Sequence, residues 1–129
     1  MERRKVRILF VDDDDALVQL NQQRLSRLGY DVVATTSSTD ALEIFRREPD
    51  AFDLVVTDYA MPDLTGLDLA AELLKAKPTI PIILCTGYVG AISPESVRDA
   101  GIKDLLLKPL GKNEAAEAIC RVLTRNPQR

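Results

Sequence analysis

The stretch Asp53–Gly66 reads Asp-Leu-Val-Val-Thr-Asp-Tyr-Ala-Met-Pro-Asp-Leu-Thr-Gly, and it decides the fold. Its apolar run lacks the alternation of a half-exposed strand, which is typical of a strand buried on both faces of a parallel sheet. The run ends at a carboxylate, Asp58, and the proline and glycine that follow predict a loop. We therefore expect Asp58 at the carboxyl end of a central strand, where open α/β sheets bind their ligands.

Outward from this stretch, short apolar runs alternate with amphipathic stretches along the chain. The apolar runs predict five strands, at residues 6–11, 31–36, 54–58, 80–86 and 105–107. Five strand–helix alternations require parallel strands with helices on both faces, because right-handed crossovers place them there. We expect a single three-layer α/β domain over residues 1–129, with its core at 6–125. The strand order 2-1-3-4-5 is adopted from flavodoxin-like doubly wound sheets, the known example of this class, and does not come from the residues.

Polar residues and breakers predict where the helices begin and end. Asp14 or Asp15 caps the first helix and Gly29 ends it, Ser37 or Ser38 caps the second, and Ser93-Pro94 begins the fourth. Apolar spacing predicts the buried faces. The predicted stripes are Leu17, Leu20, Leu25 and Leu28 in the first helix, Ala41, Leu42 and Phe45 in the second, Leu64, Leu67, Ala71 and Leu74 in the third, and Ala115, Ala118, Ile119 and Val122 in the last.

Composition restricts the function classes. The chain has 129 residues, a net charge of −3 and no histidine, so His-based triads and most zinc sites are excluded. The basic triplet Arg3-Arg4-Lys5 has no aromatic residues among it and is interpreted as a solvated terminus, so we expect no direct nucleic-acid binding. Without a long apolar stretch or a signal-peptide pattern, we expect a cytoplasmic protein or fragment with no membrane contact by this domain.

Two cysteines, Cys85 and Cys120, lie inside apolar segments. We expect both to be buried, reduced thiols that act as small hydrophobic residues. A disulfide or a metal pair is not expected from them.

Five chemically active residues fall where predicted parallel strands end, on one edge of the sheet. They are Asp12, Asp13, Asp58, Thr86 and Lys108. Three carboxylates close together raise one another's pKa values unless a cation relieves the repulsion, and oxygen-only ligands favour Mg²⁺ or Ca²⁺. A lysine and a hydroxyl aimed at the same point suit a phosphoryl group.

Each of these residues also has an ordinary structural interpretation. Asp12 and Asp13 can act as helix-capping acids, as Asp14 and Asp15 are expected to. Taken singly, Asp58 is a turn former, Thr86 a strand residue and Lys108 a surface lysine. Their joint placement on one sheet edge favours the functional interpretation.

The motifs resemble the receiver domain of two-component response regulators, of the chemotaxis-regulator type. Across about residues 6–125, Val-Asp12-Asp13 ends strand one, Asp58 is followed by Met61-Pro62 and Gly66, Thr86-Gly87 ends strand four, and Lys108-Pro109 ends strand five. The resemblance implies a phosphorelay function. In it, an acceptor carboxylate takes a phosphoryl group from a phosphohistidine on a histidine kinase or a histidine-phosphotransfer domain, or from a small phosphodonor.

The resemblance also assigns roles to residues. Asp58 is the implied phosphoacceptor. Asp13, Asp58 and the Ala60 carbonyl are the implied Mg²⁺ ligands, with Asp12 acting through a water. Lys108 is expected to pair with a phosphoryl oxygen, Thr86 to bond another, and Lys108-Pro109 to be a cis peptide, which only proline makes cheap. Phosphorylation then biases a two-state loop and surface.

Four positions modify this expectation. Leu105 stands where many relatives carry the tyrosine or phenylalanine that turns inward on activation, and Leu110 replaces a frequent phenylalanine after Lys-Pro. Ala60 is too small to block or orient an attacking water. Tyr88 is either a partial cover of the site or a half-exposed loop aromatic.

Several alternatives stay open on sequence alone. The phrasing of strands four and five is most similar to receivers of hybrid sensor histidine kinases, while a stand-alone regulator or a transcription factor's amino-terminal domain is the second choice. An aspartyl-phosphate phosphatase is disfavoured because Ala60 occupies the place of its usual second acid. A phosphorylation-independent interaction module is disfavoured because every site residue is kept. The face formed by the fourth helix, fifth strand and fifth helix is a candidate homodimer surface.

Overall fold

The computed structural model describes residues 5–88, 90 and 92–125. Strands and helices alternate as the sequence predicts, with one short 3₁₀ turn at Pro49–Ala51 before the third strand. The elements are β1 (Arg7–Val11), α1 (Asp15–Arg27), β2 (Asp31–Thr35), α2 (Ser38–Arg47), β3 (Leu54–Asp58), α3 (Gly66–Ala76), β4 (Ile82–Thr86), α4 (Pro94–Asp99), β5 (Asp104–Leu107) and α5 (Glu114–Arg125).

The five strands form one parallel sheet in the order β2-β1-β3-β4-β5, which confirms the expected flavodoxin-like topology. Register pairs Val11 with Thr57 across β1 and β3, Asp58 with Cys85 across β3 and β4, and Thr86 with Leu107 across β4 and β5. The carboxyl ends of all five strands therefore lie at the same edge of the sheet.

Two hydrophobic clusters lie on opposite faces of the sheet, and successive residues of β1 alternate between them. Leu9 and Val11 join the cluster under α2, α3 and α4, whereas Ile8 and Phe10 join the cluster under α1 and α5. Every residue of β3 and β4 is buried. This double burial explains why those strands lack a polar–apolar alternation.

Side-chain caps set the helix starts. Asp14 Oδ1 accepts from the backbone N–H groups of Ala16 and Leu17, and Ser93 caps α4 ahead of Pro94, as predicted. Of the two candidates for α2, Ser37 is the cap and Ser38 is the first helical residue. At the end of α1, Gly29 has a φ of 100°, the left-handed conformation that glycine adopts without strain.

The predicted buried face of α1 is wrong in part. Leu20 and Leu28 are 41% and 60% exposed, whereas Val18, Asn21 and Leu25 are the buried residues. The true stripe carries a polar residue at its centre, because the Asn21 side-chain amide donates to the Leu17 carbonyl within the helix. This internal bond is what allows an asparagine to occupy an inward position.

The predicted face of α3 is also displaced. Leu64 precedes the helix, Ala71 is exposed, and Leu67 and Leu74 are only partly buried. The buried face consists of Gly66, Leu69, Ala70 and Leu73. The α5 stripe and the α2 residues Ala41 and Phe45 are buried as predicted.

The prediction for Cys120 is wrong. Its thiol is exposed on α5, because the buried stripe of that helix passes through Ile119 instead, whereas Cys85 is buried as expected. Neither cysteine is in a disulfide. Within the described ranges, no helix combines the length and apolarity needed to cross a membrane. The Asn126–Arg129 tail and the Arg3-Arg4 pair lie outside the described residues.

Candidate functional site at the carboxyl edge of the sheet

Three carboxylates meet at the carboxyl ends of β1 and β3. Asp58 is the last residue of β3, and Asp12 and Asp13 directly follow β1. One oxygen from each of the three lies within 4.8 Å of the others. Asp12 and Asp58 are 4% and 7% exposed, while Asp13 faces solvent. Asp12, Asp13 and Asp58 together form what is called here the acidic cup. Its inner part consists of the buried Asp12 and Asp58, and its open side is formed by Asp13.

Lys108 closes this cup from the β5 side. Its ammonium nitrogen lies 2.9 Å from Asp12 Oδ2 and 3.3 Å from Asp58 Oδ1. The Lys108 backbone N–H donates to the Thr86 carbonyl at 2.8 Å, and the Lys108-Pro109 peptide is cis, as the resemblance implied. Burial lowers the pKa of Lys108. The hydrogen bond and negative charge of Asp12, together with the charge of Asp58, raise it by more than burial lowers it, so the pKa of Lys108 lies above its ordinary value. The lysine is therefore a fixed cation at neutral pH.

Asp58 lies in a costly position for a negative charge. Burial, and then the charge of Asp12, raise the pKa of Asp58 to about 6 against the opposing attraction of Lys108, with a smaller contribution from Asp13. A single ammonium group thus compensates the carboxylate cluster only in part. Perturbed groups of this kind concentrate at functional sites.

Thr86 is the last residue of β4 and therefore lies at the same edge of the sheet as Asp58. Its Oγ1 accepts from the Tyr88 N–H at 3.3 Å and donates to the Tyr88 carbonyl at 3.4 Å, both long bonds. The Tyr88 side chain is 71% exposed. Of the two interpretations of Tyr88, exposure favours the loop aromatic, and the residue is more exposed than expected.

The family is decided by sequence and structure comparison. A family model for the response regulator receiver domain matches residues 8–120. The chain belongs to this family. It is 33% identical over 119 residues to the transcriptional regulatory protein GlrR of Escherichia coli, covering 92% of this chain and 26% of that protein. It is 30% identical over 120 residues to PhoP of Bacillus subtilis, the alkaline phosphatase synthesis transcriptional regulatory protein, covering 93% of this chain and 49% of that one.

A solved receiver domain protein from Clostridium thermocellum superposes with a TM-score of 0.87 at 30% identity. That match covers 95% of this chain and 97% of the other. The chain thus spans about a quarter to a half of the two curated regulators but nearly all of a solved receiver domain. It is a receiver domain of two-component response regulators.

The loop that follows β3 in the receiver passes close to the Asp58 backbone at Gly66. A Cβ on Gly66 would overlap the Asp58 carbonyl oxygen and Leu84 Cδ1, so only glycine fits there. The Gly66 N–H donates to the Tyr59 carbonyl at 2.8 Å. Between these points Met61 is buried and Ala60 is exposed. Ala60 therefore lies on the exposed part of this loop, two residues after Asp58.

The receiver also has a cavity that sequence reasoning missed. It has a volume of about 360 Å³ and extends from Asp58 and Lys108 to Leu17, Leu20 and Leu110. Of the four leucines predicted to form the buried face of the first helix, Leu17 and Leu20 line this cavity instead, whereas Leu25 is buried in the core. The available signal was a second helical stripe in α1, which competes with the stripe that packs on the sheet.

The donor set suits a magnesium ion. Every side-chain ligand candidate is a carboxylate oxygen, the preferred ligand of Mg²⁺. The Asp14 N–H donates to Asp12 Oδ1 at 3.0 Å, and this bond fixes the orientation of the Asp12 carboxylate. The raised pKa of Asp58 reflects the same excess of negative charge that a divalent cation would offset. The residues present therefore fit the cation that receiver domains generally bind.

Proposed function

We propose that Asp58 is the phosphoacceptor of this receiver and takes a phosphoryl group from a phosphohistidine on a histidine kinase or a histidine-phosphotransfer domain. The observation that carries the proposal is the placement of Asp58 between two neighbouring carboxylates and an ammonium group 3.3 Å away. An acid cluster facing a fixed cation is suited to holding a charged group while one acid acts as the nucleophile.

Asp13, Asp58 and the Ala60 carbonyl are the proposed ligands of Mg²⁺, with Asp12 holding a coordinated water. When bound, the ion supplies positive charge that offsets the negative charge of the acids and of the phosphoryl oxygens. The exposure of Asp13 and Ala60 supports this set, because both face the solvent side from which a hydrated ion arrives.

In the proposed reaction an Asp58 carboxylate oxygen forms the new bond to phosphorus and the histidine nitrogen–phosphorus bond breaks. The imidazole keeps the electron pair and is protonated from solvent. Lys108 pairs with a phosphoryl oxygen, exchanging part of its contact with Asp12 and Asp58 for the incoming charge. Acetyl phosphate, as a small phosphodonor, enters the same step with acetate as the leaving group.

Phosphorylation replaces the single carboxylate charge of Asp58 with a phosphoryl group that carries about −1.5 to −2 charges, and this group recruits Thr86. The long Thr86 bonds to Tyr88, at 3.3 and 3.4 Å, are weak enough to be exchanged for one to a phosphoryl oxygen. The shift of the β4–α4 loop then carries the signal. With the partly buried Leu105 where many relatives carry an aromatic ring, we propose that this switch works through aliphatic packing.

The parent protein and its setting are also proposals. The motif phrasing favours a hybrid sensor histidine kinase, whereas GlrR and PhoP are transcriptional regulatory proteins, which supports a regulator's receiver. The length of the parent chain decides between them.

We further propose a cytoplasmic location and pairing, if any, through the α4–β5–α5 face. Chemical cross-linking with and without phosphodonor tests the pairing.

The acceptor proposal is tested by intact-mass measurement after incubation with acetyl phosphate and Mg²⁺. A phosphoacceptor gains one base-labile phosphate, and Asp58→Asn abolishes the gain. A turnover enzyme such as an aspartyl-phosphate phosphatase instead releases inorganic phosphate continuously, and an inert interaction module gains nothing. Either of these results replaces the proposal with the corresponding alternative. The exposed Asp50→Asn variant is the control for loss of a carboxylate elsewhere.

A further inference from the structure

A strained turn lies four residues beyond the proposed acceptor. The Leu64 N–H donates to the Pro62 carbonyl at 2.8 Å, and the central residue, Asp63, has a φ of 70°. A three-residue turn of this kind with a left-handed central residue is rare and strained. Something outside the turn must offset that strain.

The hydroxyl of Ser38 is placed to do so. Its Oγ donates to the Pro62 carbonyl at 2.9 Å and accepts from the Leu64 N–H at 3.2 Å. One side-chain atom therefore bonds both ends of the turn. Ser38 is only 2% exposed, so these bonds are shielded from competing water.

The neighbouring serine shows that this role is separate from helix capping. Ser37 Oγ accepts the Asp40 N–H and caps α2. Ser38 is therefore free to reach across to a loop 24 residues away. The two adjacent serines have the same side chain and different partners.

The turn matters because of what precedes it. Residues 59–61 connect Asp58 to the turn. The end of this segment next to Asp58 is held by the hydrogen bond from the Gly66 N–H to the Tyr59 carbonyl. Ala60 lies in the segment between these two attachments. If the Ser38 attachment is lost, the bond from the Leu64 N–H to the Pro62 carbonyl is the one hydrogen bond left to residues 62–64 among the described residues, and the segment can shift.

We propose that Ser38 is a positioning residue for the divalent-cation site: its hydroxyl fixes residues 62–64 and thereby the Ala60 backbone beside Asp58. The inference rests on the proposed function, since it assumes that the Ala60 carbonyl is a ligand. It assigns to a buried serine on α2 a role in a site formed by β1, β3 and β5.

The test compares Ser38→Ala with the matched control Ser37→Ala. Mg²⁺ is titrated into each protein and the amide shifts of residues 12, 13 and 58–60 are followed by NMR. We expect Ser38→Ala to weaken Mg²⁺ binding about tenfold, the low end of the effect of losing a group that positions a metal ligand, and Ser37→Ala to leave it near the wild-type value. Without metal, exchange of the Leu64 amide should accelerate in Ser38→Ala alone.

Equal Mg²⁺ affinity in the two alanine variants would overturn the inference. If Ser38→Ala does not fold, Ser38→Thr and Ser38→Val provide a second pair of the same shape, which differs in the hydroxyl. The threonine variant must then bind Mg²⁺ more tightly than the valine variant, and equal affinities overturn the inference. Failure of the wild-type protein to bind Mg²⁺ at all counts against the proposed function and, with it, the cation role of Ser38, whereas the Leu64 exchange rate still reports on the turn.

Discussion

The Lys108 ammonium group lies 2.9 Å from Asp12 Oδ2, although 96 residues separate the two along the chain. Parallel strands make this contact, because β1 and β5 end at the same edge of the sheet. The same ammonium group reaches Asp58 at 3.3 Å, so one cation serves two buried acids. In the proposed function this ammonium group competes with a metal ion for these carboxylates and also pairs with the incoming phosphoryl group.

Replacing Lys108 with alanine should separate these two effects. We expect Lys108→Ala to bind Mg²⁺ as tightly as the wild type or more tightly, because a competing cation is gone. Phosphorylation by acetyl phosphate should slow about 100-fold, the usual cost of losing one electrostatic donor in a reacting site. Calorimetric titration and phosphorylation time courses measure the two quantities.

Lys103→Ala is the control, since Lys103 is an exposed lysine just before β5. It should change neither quantity. A Lys108→Ala protein that is phosphorylated at the wild-type rate would remove the lysine from the reaction.

The raised pKa of Asp58 predicts a pH dependence of stability in metal-free protein. The folded pKa is about 6 and the ordinary value is 3.8, so the folded state binds the proton more tightly. The stability from this group is complete below about pH 4 and is lost as the pH rises through 6. Asp58→Asn should therefore stabilise the protein at pH 7.5 by about 1–3 kcal/mol and have little effect near pH 4.

Urea denaturation in the presence of EDTA at both pH values measures this difference. Asp50→Asn removes an exposed acid and should give no such pH-dependent gain. An Asp58→Asn protein that is less stable than the wild type at pH 7.5 would contradict this prediction. It would show that the ion pair with Lys108 stabilises the charged Asp58 by more than burial and Asp12 destabilise it.

Gly66 is predicted to tolerate no side chain. A Cβ there would overlap backbone at Asp58, which cannot move aside without displacing the end of β3. We expect Gly66→Ala to lower the free energy of unfolding by about 1–3 kcal/mol, the cost of overpacking. At Gly87 a Cβ would meet nothing within 4 Å, so Gly87→Ala should change stability far less. Similar thermal midpoints for the two variants would contradict the close approach.

Thr86 is predicted to act in signalling more than in phosphate capture. Thr86→Ala should still be phosphorylated, but the amide shifts that phosphorylation causes in α4 and β5 should shrink, because the loop loses its hydroxyl link to the phosphoryl group. Thr86→Ser keeps the hydroxyl and should retain most of the change. Shifts of wild-type size in the alanine variant would assign the switch to another residue.

Sequence reasoning located the strands and the sheet edge that carries the candidate site, because both follow from local patterns. Fully apolar strands such as β3 and β4 indicate burial on both faces, and residues at strand ends in a parallel sheet share an edge whatever their separation in sequence. The helix faces were harder. In α1 two stripes compete, and the buried one contains Asn21, whose side-chain amide donates to the Leu17 carbonyl within the helix.

Other features depend on tertiary contacts that no local pattern contains. The role of Ser38 requires α2 and the loop after β3 to meet, and the sequence offered it only as an alternative helix cap. The exposure of Cys120 depends on the rotation of α5 against the sheet, which one apolar neighbour does not determine. The cavity beside Lys108 likewise forms only when α1 lies next to the loop after β5.

The most direct test of the central claim is to locate the phosphate. Protein treated with acetyl phosphate and Mg²⁺ is reduced with borohydride, which converts an aspartyl phosphate into homoserine, and the peptides are sequenced by mass spectrometry. The account predicts homoserine at position 58 and unmodified aspartate at positions 12 and 13. Homoserine at another position, or none in protein that has gained phosphate, would contradict it.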